Sequence, residues 1–262
     1  MAHPNVLLNS RTLIIGGSDG IGFAVASGAL ASGSRVHITS SKSEKLAAKI
    51  QLLQSFYPGV VHVTGSTIEL SNTETLETNL KAVLDSAVKD TRGPLDHIVY
   101  TAGGTLQSSS TPLAETTAST ALDAFTTRYL GPLLVGKLVA AHPGRYLTSA
   151  VESSITLTSG MRAHRPAKAF NAAMVGATEV LARNFAVELA PIRANVIIPG
   201  PVQGDLLESL VGGKEGVLKV AEGTLTKEVG GPEGMAEAYL FCMRSTHATG
   251  QGFVVDNGVS LV

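Results

Sequence analysis

A single cysteine, Cys242, and no tryptophan stand in a chain of 262 residues. One thiol excludes an internal disulfide and any multi-cysteine metal site, and it fits a reducing compartment. Aromatic residues make up only 5%, too few to lay out a stacking platform from which a substrate could be read. Charged residues are also scarce, at 16% against about a quarter in ordinary proteins. Hydrophobic residues reach 44%, a balance opposite to that of a disordered chain. The 20 basic and 21 acidic residues nearly cancel, leaving a formal charge of −1. There is no basic block to track a phosphate backbone, so no nucleic-acid partner is expected. No apolar run approaches the roughly 20 residues that cross a bilayer. The first residues, Met1 to Asn5, lack the basic-then-apolar layout of a signal peptide. A cytoplasmic protein without a membrane partner is expected. The 7 histidines are scattered, with no HxxxH or His-carboxylate spacing, and no metal site is expected.

What the chain has in excess is glycine, with 28 residues, well above the usual share of about 7%. They follow no Gly-x-y period and form no Ser/Gly linker, which excludes collagen and flexible-tether readings. They stand singly, where backbone must bend or come close to something. Between them, short β-branched runs alternate with helical patterns. Strands are expected at Thr12–Ile15, Arg35–Thr39, Val60–Val63, His97–Tyr100, Ser154–Thr158, Ala194–Ile198 and Gly252–Val255. Helices are expected at Ile21–Leu30, Lys42–Leu53, about Thr73–Val88, Leu122–Ala141 and Ala172–Leu189. This alternation predicts a Rossmann-type α/β fold: a doubly wound parallel sheet of about seven strands with helices on both faces. No composition shift or internal repeat divides it, so one domain is expected over residues 1–262.

The first strand runs directly into Gly16-Gly17-Ser18-Asp19-Gly20-Ile21-Gly22 and then a helix. Glycine permits the tight turn and lets backbone N–H groups approach a pyrophosphate at the helix N-terminus, where the dipole favours negative charge. A site for NAD(H) would carry an acid about 20 residues on, at the end of the second strand. Here no acidic residue occurs between Asp19 and Glu44, and the strand ends Thr39-Ser40-Ser41-Lys42. Small hydroxyls and a cation suit the 2′-phosphate of NADP(H). The plainer alternative is that Lys42 is a solvated lysine at a helix start.

With these residues in place, the chain resembles the short-chain dehydrogenase/reductase family over nearly its full length. Ile15-Gly16 and Gly20-Ile21-Gly22 match the family's TGxxxGIG turn except at the threonine. Asp96 to Gly103 is similar to its fourth-strand NNAG segment, with Tyr100 and Thr101 in place of the two asparagines. Glu69-Leu70 occupies the place of the acid–apolar pair that contacts adenine. Pro199-Gly200-Pro201-Val202 resembles the PG motif beside the nicotinamide. The C-terminal Thr249-Gly250-Gln251 and Val255-Asp256-Asn257-Gly258 look like the end of that fold. The resemblance implies cofactor contacts at Gly16, Ser18, Asp19, Gly20, Ile21, Ser40, Ser41, Lys42, Glu69, Leu70, Thr101, Ala102, Gly103, Arg128, Pro199, Gly200 and Val202. It also implies a homodimer or homotetramer acting on a small-molecule substrate.

The family's chemistry rests on Asn, Ser, Tyr and Lys, and this chain departs at each. Aligning Val187-Glu188-Leu189-Ala190-Pro191 with the family's helix end puts Asn171 at the tyrosine and Val175 at the lysine. No YxxxK spacing lies nearby. The asparagine falls on Arg128, and the serine on Thr158 or Ser159, depending on whether one counts back from Asn171 or matches the strand end. Catalytic candidates are therefore Arg128, Ser159 and Asn171. Arg128 is open to three roles: binding nicotinamide ribose in place of the lysine, stabilising developing negative charge, or a structural pairing with a carboxylate. Hydride addition to an iminium gives a neutral amine with no proton donor. The pattern resembles a divergent branch of the family in fungal natural-product pathways, the malbrancheamide and paraherquamide type, whose members reduce an iminium and then shape a cycloaddition. An acid expected after Pro166 reads Ala167, followed by Lys168. The expected function is an NADP(H)-dependent reductase of a small electrophile. The alternatives are a cofactor-bound scaffold for cyclisation or isomerisation, and a silent binder. His164 reads either as an acid–base group or as a solvated loop residue. Cys242 reads as core, and Gly204–Thr226 as a lid over the substrate.

Overall fold

Seven parallel strands form one sheet in the order β3-β2-β1-β4-β5-β6-β7. The computed structural model describes residues 4–59, 62–103, 112–166 and 171–262. The strands are β1 (Arg11–Ile15), β2 (Arg35–Ser40), β3 (Val63–Thr67), β4 (His97–Tyr100), β5 (Ser154–Thr158), β6 (Arg193–Pro199) and β7 (Gly252–Val255). The helices are α1 (Gly20–Ala31), α2 (Ser43–Phe56), α3 (Leu76–Thr91), α4 (Ala118–Phe125), α5 (Gly131–Ala141), α6 (Asn171–Glu188), α7 (Asp205–Val211), α8 (Lys214–Glu222) and α9 (Pro232–Arg244).

The central strands are buried on both faces because helices cover both, as a parallel sheet requires. Alternate residues of β1 divide between two cores. Leu13 and Ile15 pack with α3, α5 and α6, while Ile14 packs with α1, α2 and α9. Helix α3 buries Leu76, Leu80, Val83, Leu84 and Ala87, a stripe at helical spacing. Helix α1 is rich in glycine and alanine, and a side chain at Gly28 would strike Leu240 of α9, so the two helices pack closely.

Three expectations are corrected. The third strand is Val63–Thr67, not Val60–Val63, and Val60 and Val61 lie outside the described residues. This strand is an edge with a half-exposed, polar sequence (VTGST), so its apolar start alone stood out. Helix α3 starts at Leu76 rather than near Thr73. The expected helix Leu122–Ala141 is interrupted: α4 and α5 are joined by a wide, π-helical turn over Thr126–Leu130. Pro132 is the cause, since it has no N–H and its ring collides with the carbonyl four residues back.

Candidate active site

From β1 the chain turns to β2 on one side, and from β3 it crosses to β4 on the other. This reversal opens a crevice beyond the carboxyl ends of β1 and β4, where ligands bind in open α/β sheets. The segments singled out from sequence come together on that edge. The turn Gly16–Gly22 follows β1, Ser40–Lys42 closes β2, Glu69 and Leu70 follow β3, Thr101–Gly103 follow β4, and Pro199–Val202 close β6. A shallow cavity of about 310 Å³, lined by Val6, Leu8, Arg11, Asp96 and Arg244 among others, lies at the opposite edge. Its Arg11 and Asp96 are paired with each other at 3.0 Å.

The first turn is pressed against the end of β4. Gly16 has φ +91°, and a Cβ there would lie 2.6 Å from Ala102 N. A side chain at Gly22 would overlap Gly16 O and Thr101 Oγ1. No residue but glycine satisfies both the left-handed turn and the close approach. The Gly16 N–H donates to Thr39 Oγ1 at 3.0 Å. Asp19 caps α1 by accepting from Gly20 N at 3.0 Å and pairs with Lys45. Burial would raise the Asp19 carboxyl; the Lys45 hydrogen bond and charge, the Gly20 amide and Lys49 outweigh it and hold it below the usual range. Among the described residues, the N–H groups of Ile21 and Gly22 have no hydrogen-bond partner. A crevice kept clear of side chains, with free amides at a helix N-terminus, fits a dinucleotide pyrophosphate.

Beyond β2, Ser40 is buried and its Oγ accepts the Lys42 N–H at 3.3 Å, while Ser41 and Lys42 are exposed. The Glu69 carboxylate accepts from Ser71 N and Ser71 Oγ, each at 2.6 Å, and these bonds hold it below the usual carboxylate range. Leu70 packs against the core.

At the other end of the crevice, Arg128 lies in the wide turn with its guanidinium against Gly103. A Cβ on Gly103 would fall 2.7 Å from Arg128 Nη2. Among the described residues, no carboxylate or hydrogen-bond acceptor pairs with this guanidinium. Burial lowers its pKa from the ordinary arginine value, with Tyr100 opposing. The structural carboxylate pairing is therefore absent among the described residues, and the guanidinium lies against the segment that follows β4.

The other catalytic candidates are arranged differently. Ser159 is buried, and its Oγ lies 2.8 Å from Val175 O and 2.9 Å from Glu179 Oε1, so its proton is committed to α6. Thr158 Oγ1 sits 2.8 Å from both Tyr100 O and Tyr239 Oη. Val175 is buried in an apolar contact with Met174, Phe125 and Ala163. Asn171 opens α6; its side chain, like Ala167 and Lys168, lies outside the described residues. Gly200 closes against Asp256, whose Cα would be 2.6 Å from a Cβ at Gly200, and Val202 packs on the core. His164 pairs with Glu179 at 3.1 Å rather than standing free in solvent. Cys242 is core, its thiol pushed up by burial to about 12. The expected lid segment holds α7 and α8, joined through Gly212 and Gly213. Sequence reasoning missed Glu179, Thr178 and Lys45, for which spacing carries no signal. Among the described residues, no cluster of His, Cys, Asp and Glu could hold a metal ion, and no helix is long and apolar enough to cross a membrane.

A glycine turn on a helix N-terminus, set at the switch point of a seven-stranded parallel sheet, defines a dinucleotide-binding protein of the Rossmann class. The SDR-like Rossmann domain matches residues 3–262, and the chain belongs to the short-chain dehydrogenase/reductase family. It is 36% identical to the short-chain dehydrogenase/reductase ATR9 of Stachybotrys chlorohalonatus, over 91% of this chain and 92% of that protein. It is 33% identical to malC of Malbranchea aurantiaca, over 98% and 97% of the two chains. The solved structure of the MalC reductase/Diels–Alderase from Malbranchea aurantiaca superposes with a TM-score of 0.90 at 32% identity, covering 98% of this chain and 99% of that one. The likeness to fungal members of the family is thus one of sequence and of fold.

Proposed function

We propose that the protein is an NADP(H)-dependent oxidoreductase that delivers hydride to a small organic electrophile, an iminium or an activated carbonyl, in secondary metabolism. The observation that carries this reading is Arg128, whose guanidinium lies beside Gly103 and has no partner among the described residues, in a site where Val175 aligns with the family's lysine. A guanidinium donates hydrogen bonds and keeps its proton at neutral pH. It can take over ribose binding from the family's lysine but cannot act as the tyrosine's proton donor. That combination suits a cationic electrophile, which needs no proton on receiving hydride. Bound NADPH would supply the hydride. The free amides of α1 would hold its pyrophosphate, and Ser40, Ser41 and Lys42 its 2′-phosphate, with no carboxylate at the end of β2 to repel it. The family resemblance supports a homodimer or homotetramer, and the single cysteine suits a reducing compartment such as the cytoplasm.

Separate titrations with NADPH and NADH test the cofactor; equal binding of the two, or none, sinks the reading of Ser40 to Lys42. Turnover is read as loss of NADPH absorbance with cyclic imines and activated ketones, and imines are expected to react faster. A second reading, cofactor-bound steering of a cyclisation or isomerisation without redox, is favoured by the similarity to a protein described as a reductase/Diels–Alderase. Binding of NADPH with no consumption in the presence of any such electrophile would select that reading, or a silent cofactor-binding protein.

A further inference from the structure

A regular helix cannot pass through Pro132, and the way this chain avoids the conflict determines where Arg128 points. The Gly131 N–H bonds to Thr126 O, five residues back. In a regular helix Gly131 would serve Thr127 O, and residue 132 would serve Arg128 O. With Gly131 diverted and Pro132 lacking an N–H, both carbonyls lose those donors. Hydroxyls from two other elements reach them. Tyr100 Oη, at the end of β4, donates to Thr127 O at 2.8 Å. Thr178 Oγ1, on α6, lies 3.2 Å from Arg128 O, with Met174 O second at 3.4 Å.

The surroundings are cut to this arrangement. A side chain at Gly131 would overlap Tyr100 Oη, and one at Gly103 would displace the Arg128 guanidinium. Burial raises the Tyr100 phenol above its ordinary value, so it stays a donor. Each residue added to a helical turn rotates the flanking side chains by about 100° about the axis. The face on which Arg128 emerges therefore depends on the wide turn being kept.

We infer that Tyr100 is a positioning residue: its hydroxyl holds the wide turn open and so keeps the Arg128 guanidinium on Gly103 at the cofactor crevice. This rests on the reading of Arg128 as a cofactor-contact residue. A tyrosine that only stabilised the fold would show the same hydrogen bond, so the test must separate the two roles.

The test is a double-mutant cycle on NADPH affinity, measured by fluorescence titration for wild type, Tyr100→Phe, Arg128→Ala and the double variant. Circular dichroism melts fix a temperature at which all four are folded. Tyr100→Phe is expected to weaken NADPH binding about five- to tenfold on its own and to add less than about twofold once Arg128 is alanine. A Tyr100→Phe variant that melts lower yet binds NADPH as wild type does overturns the inference, as does full additivity with Arg128→Ala. If wild type binds neither NADPH nor NADH, it is the cofactor reading that fails. Crystal structures of wild type and Tyr100→Phe then decide this point: Arg128 leaving Gly103 supports it, and an unchanged turn and guanidinium overturn it.

Discussion

Arg128 is a donor with no acceptor among the described residues, at a place where desolvation is costly. Such a charge is tolerated where a ligand completes it. Arg128→Ala is expected to lower kcat/KM by about 10²- to 10³-fold, with NADPH affinity falling in parallel. Arg128→Lys should recover only part of this, because an ammonium lacks the planar fork. Steady-state kinetics with NADPH titrations check both. At the other end of the crevice, Lys42 is exposed and Glu44, in the first turn of α2, is the next acid along the chain. Lys42→Glu is expected to reduce the preference for NADPH over NADH by roughly 10- to 100-fold, through loss of a charge-assisted contact and gain of repulsion. The ratio of the two kcat/KM values reads this out. At this scale the sequence reading put Asn171 and Val175 where the family resemblance expects Tyr and Lys. The partners of the residues that replaced them were not visible, because Ser159 and Glu179 meet only through the packing of a strand end on a helix.

Among the elements, the glycine turn was the most legible, since its demands are on the backbone itself. A left-handed φ at Gly16 and the contact of Gly22 with Gly16 O and Thr101 Oγ1 both follow from a strand that feeds straight into a helix. Gly22→Ala is therefore expected to cost about 1–3 kcal/mol of stability from overpacking, seen as a lower melting temperature, and to weaken NADPH binding as the turn moves off β4. The helix around Arg128 was legible only in part. Its apolar period reads as one unbroken element, and Pro132 was the signal against that. Where the strain of a proline goes, whether to a kink, a break or a wide turn, depends on which donors neighbouring elements present. Here Tyr100 and Thr178 present them. The third strand was misplaced for a related reason: an edge strand needs little apolar alternation, so β2 selects the residues it pairs with.

Over the whole molecule, two buried histidines tie stability to pH. His97 is buried and within 2.9 Å of Ser154 Oγ, and His37 within 2.9 Å of Thr64 Oγ1 and Ser66 Oγ. Burial lowers each to about 4 from the ordinary histidine value of 6.5, against the pull of Asp96 on His97 and Asp90 on His37. Their folded pKa lies below the unfolded one, so the unfolded chain binds more protons in between. Stability is then full above about pH 6.5 and is lost as pH falls towards 4, on the order of 3 kcal/mol for each histidine. Urea melts between pH 7 and 4.5 should show this slope, and His97→Gln should flatten it. A slope unchanged in that variant would remove His97 from the account.

The order of the strands, the glycine turn and the absence of any YxxxK spacing were determined by the sequence itself. Each depends on residues adjacent in the chain, or on a period of two or 3.6, which local steric and solvation rules convert into structure. Only the tertiary structure decided that Arg128 has no partner among the described residues, that Ser159 donates its hydrogen bond to α6, and that the Tyr100 hydroxyl serves a carbonyl of a helix it does not belong to. Those outcomes depend on distances of a few ångströms between groups far apart in sequence, such as Tyr100 and Thr127. A hydrogen bond or an ion pair exists only when packing delivers both partners to the same place.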